Sequence, residues 1–239
     1  GTLLHLHGDH INFWCRPIAT DFPILDQAFL ACIEAGDLVY AGFLAFETVW
    51  QAIERGDELG SFLAFSRKYE EFARRSRNEP VYQTIKLEQQ FARALMGETP
   101  ALDSLSDASF DESAALASVT AASFGCGVVF YHIMKLIACY LNGDERAAQA
   151  SMTEAEAVLG AAMAMPIEAT FTFFKALLLA ALPDRDVAEL ERLERKLALW
   201  AHHAPENFQN RHALVSAELA RLRGDDLEFL TVPVAGTAT

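Results

Sequence analysis

Apolar residues recur along this chain every three or four positions, in runs of helical length separated by short polar junctions. From Asp186 onward, Val187, Leu190, Leu193, Leu197 and Trp200 keep that spacing, and Glu189, Glu191, Arg192, Arg195 and Lys196 fill the positions between them. The pattern draws one apolar stripe and one wet face along a helix. Glu191 and Arg195 stand one turn apart, where opposite charges pair. In the preceding run Ile167, Phe171, Phe174, Leu178 and Leu182 form a second stripe, which Pro183 ends. The run holding Tyr131, Ala138 and Tyr140 is apolar nearly all round, as a central buried helix would be. Ala147, Ala148, Met152, Ala155 and Leu159 then mark a helix whose small residues let a neighbour approach closely. The whole pattern predicts helices near residues 3–15, 22–35, 38–55, 58–77, 80–97, 111–119, 121–142, 145–160, 166–182, 186–203 and 206–223.

The junctions repeat a signal of their own. Gly-Asp pairs stand at Gly36-Asp37, Gly56-Asp57, Gly143-Asp144 and Gly224-Asp225, each between two helical patterns. Glycine takes the left-handed conformation that closes a helix. An aspartate just after it caps the next helix through its side-chain oxygen. Such a corner folds two helices back on each other, and four of them predict an array of helical hairpins. The expected fold is therefore all-α: an α-α superhelix of degenerate tetratricopeptide-like (TPR-like) hairpins. The repeats are degenerate because the Gly-Asp spacing is not a multiple of the ~34-residue repeat of that class. The stretch from Gly97 to Asp111, rich in Ser, Asp, Thr and Pro, reads as a mobile loop at 98–111. It would divide N-terminal hairpins (1–97) from C-terminal ones (112–224), with 225–239 as a truncated tail. The abrupt ends suggest a piece of a longer protein.

Composition narrows the function classes. Of 239 residues, 52% are hydrophobic, which is ample for a packed core, and the formal net charge is −14. A surface this acidic repels phosphate backbones and anionic bilayers, so neither nucleic acid nor membrane is an expected partner. No apolar run reaches a membrane span: Ala114–Leu141 carries Gly125, Gly127, His132 and Lys135, and Ala169–Leu182 is short and carries Lys175. Cys15, Cys32, Cys126 and Cys139 lie apart in apolar stretches, which points to buried free thiols in a reducing, cytoplasmic setting.

Three segments together carry a family resemblance: Leu25–Phe43 (LDQAFLACIEAGDLVYAGF), Ala138–Gln149 (ACYLNGDERAAQ) and Ala204–Gly224 (APENFQNRHALVSAELARLRG). They resemble the TPR-like helical region of large bacterial hybrid signalling proteins. In those proteins a serine/threonine-kinase-like domain and an AAA/STAND-type ATPase precede that region, and GAF or PAS sensors and a histidine kinase follow it. The resemblance runs from about His10 to Gly224. Its most specific part is Pro205-Glu206-Asn207-Phe208, with Ala204 where the family pattern has cysteine and Asn210-Arg211-His212 in place of His-Lys-Tyr. The resemblance implies a non-catalytic module with no cofactor. Its implied partners are a separate protein, the kinase or ATPase domain of its own parent, or a small-molecule effector, and a homodimer is compatible with it.

Several constellations compete with that expectation. His5-Leu6-His7-Gly8-Asp9-His10 matches the HxHxDH zinc motif of metallo-β-lactamase-type hydrolases. That fold needs strands before the motif and more ligands after it, whereas this chain is helical and its next histidine is His132. The motif therefore reads as a polar helix start, with His5, His7 and His10 as adventitious metal ligands at most. His202-His203 reads as a helix end. Gly125-Cys126-Gly127 reads as close packing rather than a phosphate loop, and Cys126 and His132 point to different faces of one helix. Lys135 and Lys175 either snorkel to water or line a groove. The predicted groove itself takes Trp14, Tyr40, Phe43, Tyr131, Lys135, Phe174, Asn207 and Asn210, chosen by helix position.

Overall fold

The computed structural model describes residues 1–224; the predicted tail at 225–239, including Asp225 of the fourth Gly-Asp pair, lies outside the described residues. Eleven α-helices make up the described chain: α1 (Thr2–His10), α2 (Asp21–Glu34), α3 (Leu38–Glu54), α4 (Leu59–Arg75), α5 (Glu79–Leu95), α6 (Glu112–Ala121), α7 (Gly125–Leu141), α8 (Glu145–Val158), α9 (Pro166–Ala181), α10 (Val187–His203) and α11 (Pro205–Arg223). No strand occurs among the described residues. From α2 onward, the start of α7 apart, the helices occupy the spans their apolar patterns predict.

The corners explain why. Gly36, Gly56 and Gly143 all take left-handed φ values, 72°, 82° and 78°. At each, the amide three residues past the helix end reaches back five positions: Asp37 N to Cys32 O, Asp57 N to Ala52 O, and Asp144 N to Cys139 O. Asp37 and Asp144 then cap α3 and α8 by accepting from Tyr40 N and Ala147 N. Asp57 differs from expectation: it pairs with Arg55, and Glu58 caps α4 through Gly60 N and Ser61 N. Two further corners have the same geometry without glycine. Arg77 (φ 55°) and Ser123 (φ 54°) close α4 and α6, with Asn78 N on Ala73 O and Phe124 N on Val119 O. Left-handed corners thus fall at 36, 56, 77 and 97, about one helix apart, which makes each hairpin longer than the ~34-residue repeat. Because Ser123 is such a corner, α7 begins at Gly125 rather than at 121.

Helix packing sorts the chain into two layers. Each helix packs on its neighbours in sequence, and α1, α3, α5, α7, α9 and α11 also pack on one another in succession. The even-numbered helices pack substantially only on the odd ones and on the short 3₁₀ turns. This is the arrangement of an α-α superhelix, with odd helices inside and even helices outside. The winding is tight enough for α3 to meet α9. Inside it Phe46, Trp50, Phe91 and Phe130 are buried in one continuous apolar core that runs from Phe22 to Leu219. The predicted division into two halves therefore has no counterpart in the core. The 98–111 loop lies against the body: Leu105 is fully buried, Gln90 donates to Asp107, and the Lys135 ammonium donates to Asp103 O.

Close packing also accounts for the paired glycines of α7. A Cβ on Gly127 would stand 2.6 Å from Thr84 Oγ1 and 2.9 Å from the Phe124 ring. Gly127→Ala is expected to cost about 2 kcal/mol through overpacking between α5 and α7, measurable by urea unfolding. A neutral result would show that α5 has room to move away.

The first predicted helix, 3–15, is the one that breaks. Ile11 leaves helical geometry (φ −125°, ψ −54°), and two 3₁₀ turns follow, Asn12–Trp14 and Ile18–Thr20. Asn12 holds the bend by donating to Thr20 Oγ1 at 2.7 Å and to Asp21 Oδ1 at 2.6 Å. Far along the chain, Asn207 fastens the same segment: its amide donates to Phe13 O and Arg16 O, and its carbonyl accepts from Ile18 N. Phe13 and Trp14 then stack against Trp200 and Phe208, so the first turns close onto the last hairpin. Asp21 is buried, and burial pushes its carboxyl up to about 7 against the pull of the Asn12 hydrogen bond, with Asp9 adding to the rise. Between its unfolded value near 4 and that value the native state holds the extra proton, so stability falls as pH rises through this window. Asp21→Asn is expected to remove about 2 kcal/mol of the loss between pH 5 and pH 8, compared by urea unfolding at the two values. An unchanged pH profile would contradict the burial of this carboxyl.

Candidate functional site

Because the odd helices form the inner layer, their side chains meet in a single groove. Trp50, Ile53 and Glu54 come from α3, Phe91 and Leu95 from α5, Ile137 and Leu141 from α7, Thr170 and Phe174 from α9, and Arg211 from α11. Five alternate helices thus contribute to one cavity of ≈ 220 Å³. Its floor is aromatic and aliphatic. Its polar edge is one closed network. Glu54, whose side chain is 2% exposed, accepts from Trp50 Nε1 at 2.7 Å, from Thr170 Oγ1, and from the Arg211 guanidinium. Arg211 also donates to Thr170 Oγ1 at 3.0 Å. The same Glu54 and Arg211 border a second, more polar cavity of ≈ 240 Å³ with Phe13, Ile18, Asn207 and Asn210.

Of the eight residues predicted for the groove, only Phe174 lines the main cavity. Asn207 and Asn210 line the adjoining one, and Asn207 is occupied in holding the N-terminal turns. Trp14 lies beside them, stacked on Trp200 and donating to Ala164 O. Tyr40 and Phe43 sit near the start of α3, away from the groove residues of its last turns, packed on the His5 ring. Tyr131 and Lys135 both face Glu112, and Lys135 ties down the loop. Lys175 neither snorkels nor lines the groove: it is buried between Glu156 and Glu189, whose carboxylates offset its charge. The Cys126 thiol donates to Ala161 O at 3.3 Å. His202 and His203 stand exposed in the last turn of α10, as expected. The four cysteines are free, but Cys15 is exposed and Cys126 half-buried, so burial holds only for Cys32 and Cys139. No described helix is long and apolar enough to cross a membrane.

The N-terminal histidines regroup. On a helix His5 and His7 point to opposite sides, and His7 is exposed while His5 is buried. The trio His5, His7 and His10 is therefore not brought together. Instead His5 and Asp9 share the inner face of α1, His10 joins them from its last residue, and all three meet Glu47 of α3, with one ligand atom from each within 4.8 Å of the others. His5 Nε2 is bonded to Glu47 Oε2, and Gln51 donates to Asp9 Oδ1 at 2.7 Å. Burial lowers His5 and His10. It raises Glu47 to about 8 and, helped by Glu47's charge, raises Asp9 and the neighbouring Glu88 well above the usual carboxylate range.

Comparison of the chain with protein-family models, curated proteins and solved structures finds no match.

Proposed function

We propose that this chain is a non-catalytic, TPR-like interaction module of a signalling protein, and that its inner groove seats apolar side chains of a protein partner. The observation that carries this reading is the groove's chemistry. Five helices converge on an apolar floor, and every oxygen of the Glu54 carboxylate at its edge already has a partner within the chain. A small polar effector would need free polar groups to orient it, in a cavity of roughly 300–1,000 Å³. A volume of ≈ 220 Å³ suits one or two anchoring side chains. The net charge of −14 favours a partner segment with basic flanks, which would associate faster at low salt. The resemblance to hybrid kinases supports a partner within the parent protein, its ATPase or kinase domain, whose phosphotransfer the occupied groove would bias.

Two variants test this. Phe174→Ala and Leu141→Ala, in the protein made from its complete reading frame, are expected to weaken docking of the helical module to the neighbouring domains by about 1–2 kcal/mol each. Unchanged docking by both would refute the groove. A thermal-shift screen of metabolites distinguishes the effector reading, since a ligand at 100 times its Kd stabilises the fold by about 2.7 kcal/mol.

A further inference from the structure

We propose that His5, Asp9, His10 and Glu47 bind one divalent first-row transition-metal ion, of the zinc type, which clamps α1 to α3. This site is separate from the groove and stands or falls without it.

The donors are two imidazoles and two carboxylates, each able to place one atom within 4.8 Å of the other three. Donors around one tetrahedral ion at bond lengths of about 2.0–2.2 Å lie roughly 3.3–3.6 Å apart, so shifts of about 1 Å close the set. His10 Nε2 and Asp9 Oδ2 already stand 3.7 Å apart. The spacing of His5 and Asp9 puts both on one helix face, His10 reaches them from the last residue of α1, and Glu47 comes from the helix packed against it.

Unmet bonding capacity marks this cluster and extends to the Glu88 carboxyl near Glu47, whose two oxygens are likewise buried without a partner. His5 Nδ1, Asp9 Oδ2 and Glu47 Oε1 are buried without a hydrogen-bond partner. Their residues are 3%, 1% and 2% exposed. A network complete in itself would leave no such atoms. Gln51 occupies only Oδ1 of Asp9, which fixes the carboxylate and leaves Oδ2 for an ion. Phe43 stacks parallel to His5 and Tyr40 meets its edge, so the ring is held in place. Two carboxylates would balance a divalent charge, and two imidazoles favour zinc, copper, iron or nickel over magnesium and calcium. His10, whose side chain is 21% exposed, marks the way in.

The test uses tag-free protein, stripped by chelator and dialysed against zinc chloride, with metal counted by mass spectrometry and affinity measured by calorimetry. One zinc per chain is expected, with a rise in Tm on zinc addition and none on magnesium addition. His5→Gln and Glu47→Gln are expected to weaken zinc binding by more than about 100-fold. His10→Gln, a milder change at the least buried ligand, guards against a variant that fails to fold. His7→Gln and the His202→Gln/His203→Gln pair should leave the stoichiometry unchanged. Wild-type protein with no stoichiometric zinc would overturn the proposal, and so would zinc lost on changing His7 or the His202–His203 pair alone.

Discussion

Replacing Trp50 with alanine is expected to destabilise the fold by about 4 kcal/mol, the middle of the range for a buried aromatic. Trp50 is 1% exposed and sits at the centre of the inner layer, with its ring centroid 6.1 Å from Phe91 and 5.7 Å from Phe130. Its removal would empty the space shared by α3, α5 and α7, three helices pinned elsewhere by their own corners and unable to collapse freely. It would also take away a donor to Glu54. Trp50→Phe keeps most of the volume and loses mainly that hydrogen bond, so a loss of about 1–2 kcal/mol is expected. Urea unfolding of both variants decides the matter. A loss below about 1 kcal/mol for Trp50→Ala would mean that the inner helices are loosely packed.

The second large effect concerns Arg211. Its guanidinium crosses from α11 to Glu54 on α3 and joins the last helix to the first hairpins. Arg211→Met would leave a carboxylate whose side chain is 2% exposed without its counter-charge, at an expected cost of about 3 kcal/mol. Most of that cost belongs to the stranded carboxylate rather than to the lost contact. Adding Glu54→Gln should therefore recover much of the loss, because the amide oxygen still accepts from Trp50 and Thr170 without carrying charge. Strictly additive losses in the double variant would show that the two residues do not act together.

Much of this architecture can be read from the sequence because helix corners are chemically specific. Gly36, Gly56 and Gly143 announce themselves, since only glycine takes a left-handed φ at little cost. The corners at Arg77 and Ser123 stay hidden for the converse reason: nothing in a side chain says that it will be forced left-handed. The break after His10 is similarly silent, because Asn12 makes it through Thr20 and Asp21 rather than through a proline or glycine at the helix end. The groove is harder still. A stripe of apolar residues shows that a helix has a buried side, but not which other helices share it. Hence Tyr40, Tyr131 and Lys135 fit the pattern and lie elsewhere. One usable signal is the all-round apolar character of α3, α7 and α9, with Glu54 at the end of the first of them. The His5 cluster was obscured by its match to a strand-and-loop zinc motif, which paired His5 with His7. Helical spacing selects Asp9 instead, with His10 joining from the last residue of α1, and Glu47, a carboxylate within an apolar run, is the clue to what lies opposite.

The central claim is that the inner groove, and not the outer layer, is the docking face. A photo-reactive amino acid placed at Leu141, on the groove, and in parallel at Leu199, an exposed position on the outer helix α10, reads this directly in the protein made from its complete reading frame. The account predicts crosslinks from position 141 to one defined segment with basic flanks, suppressed at high salt, and none to that segment from position 199. Crosslinks from position 199 alone, or none from position 141, would contradict it.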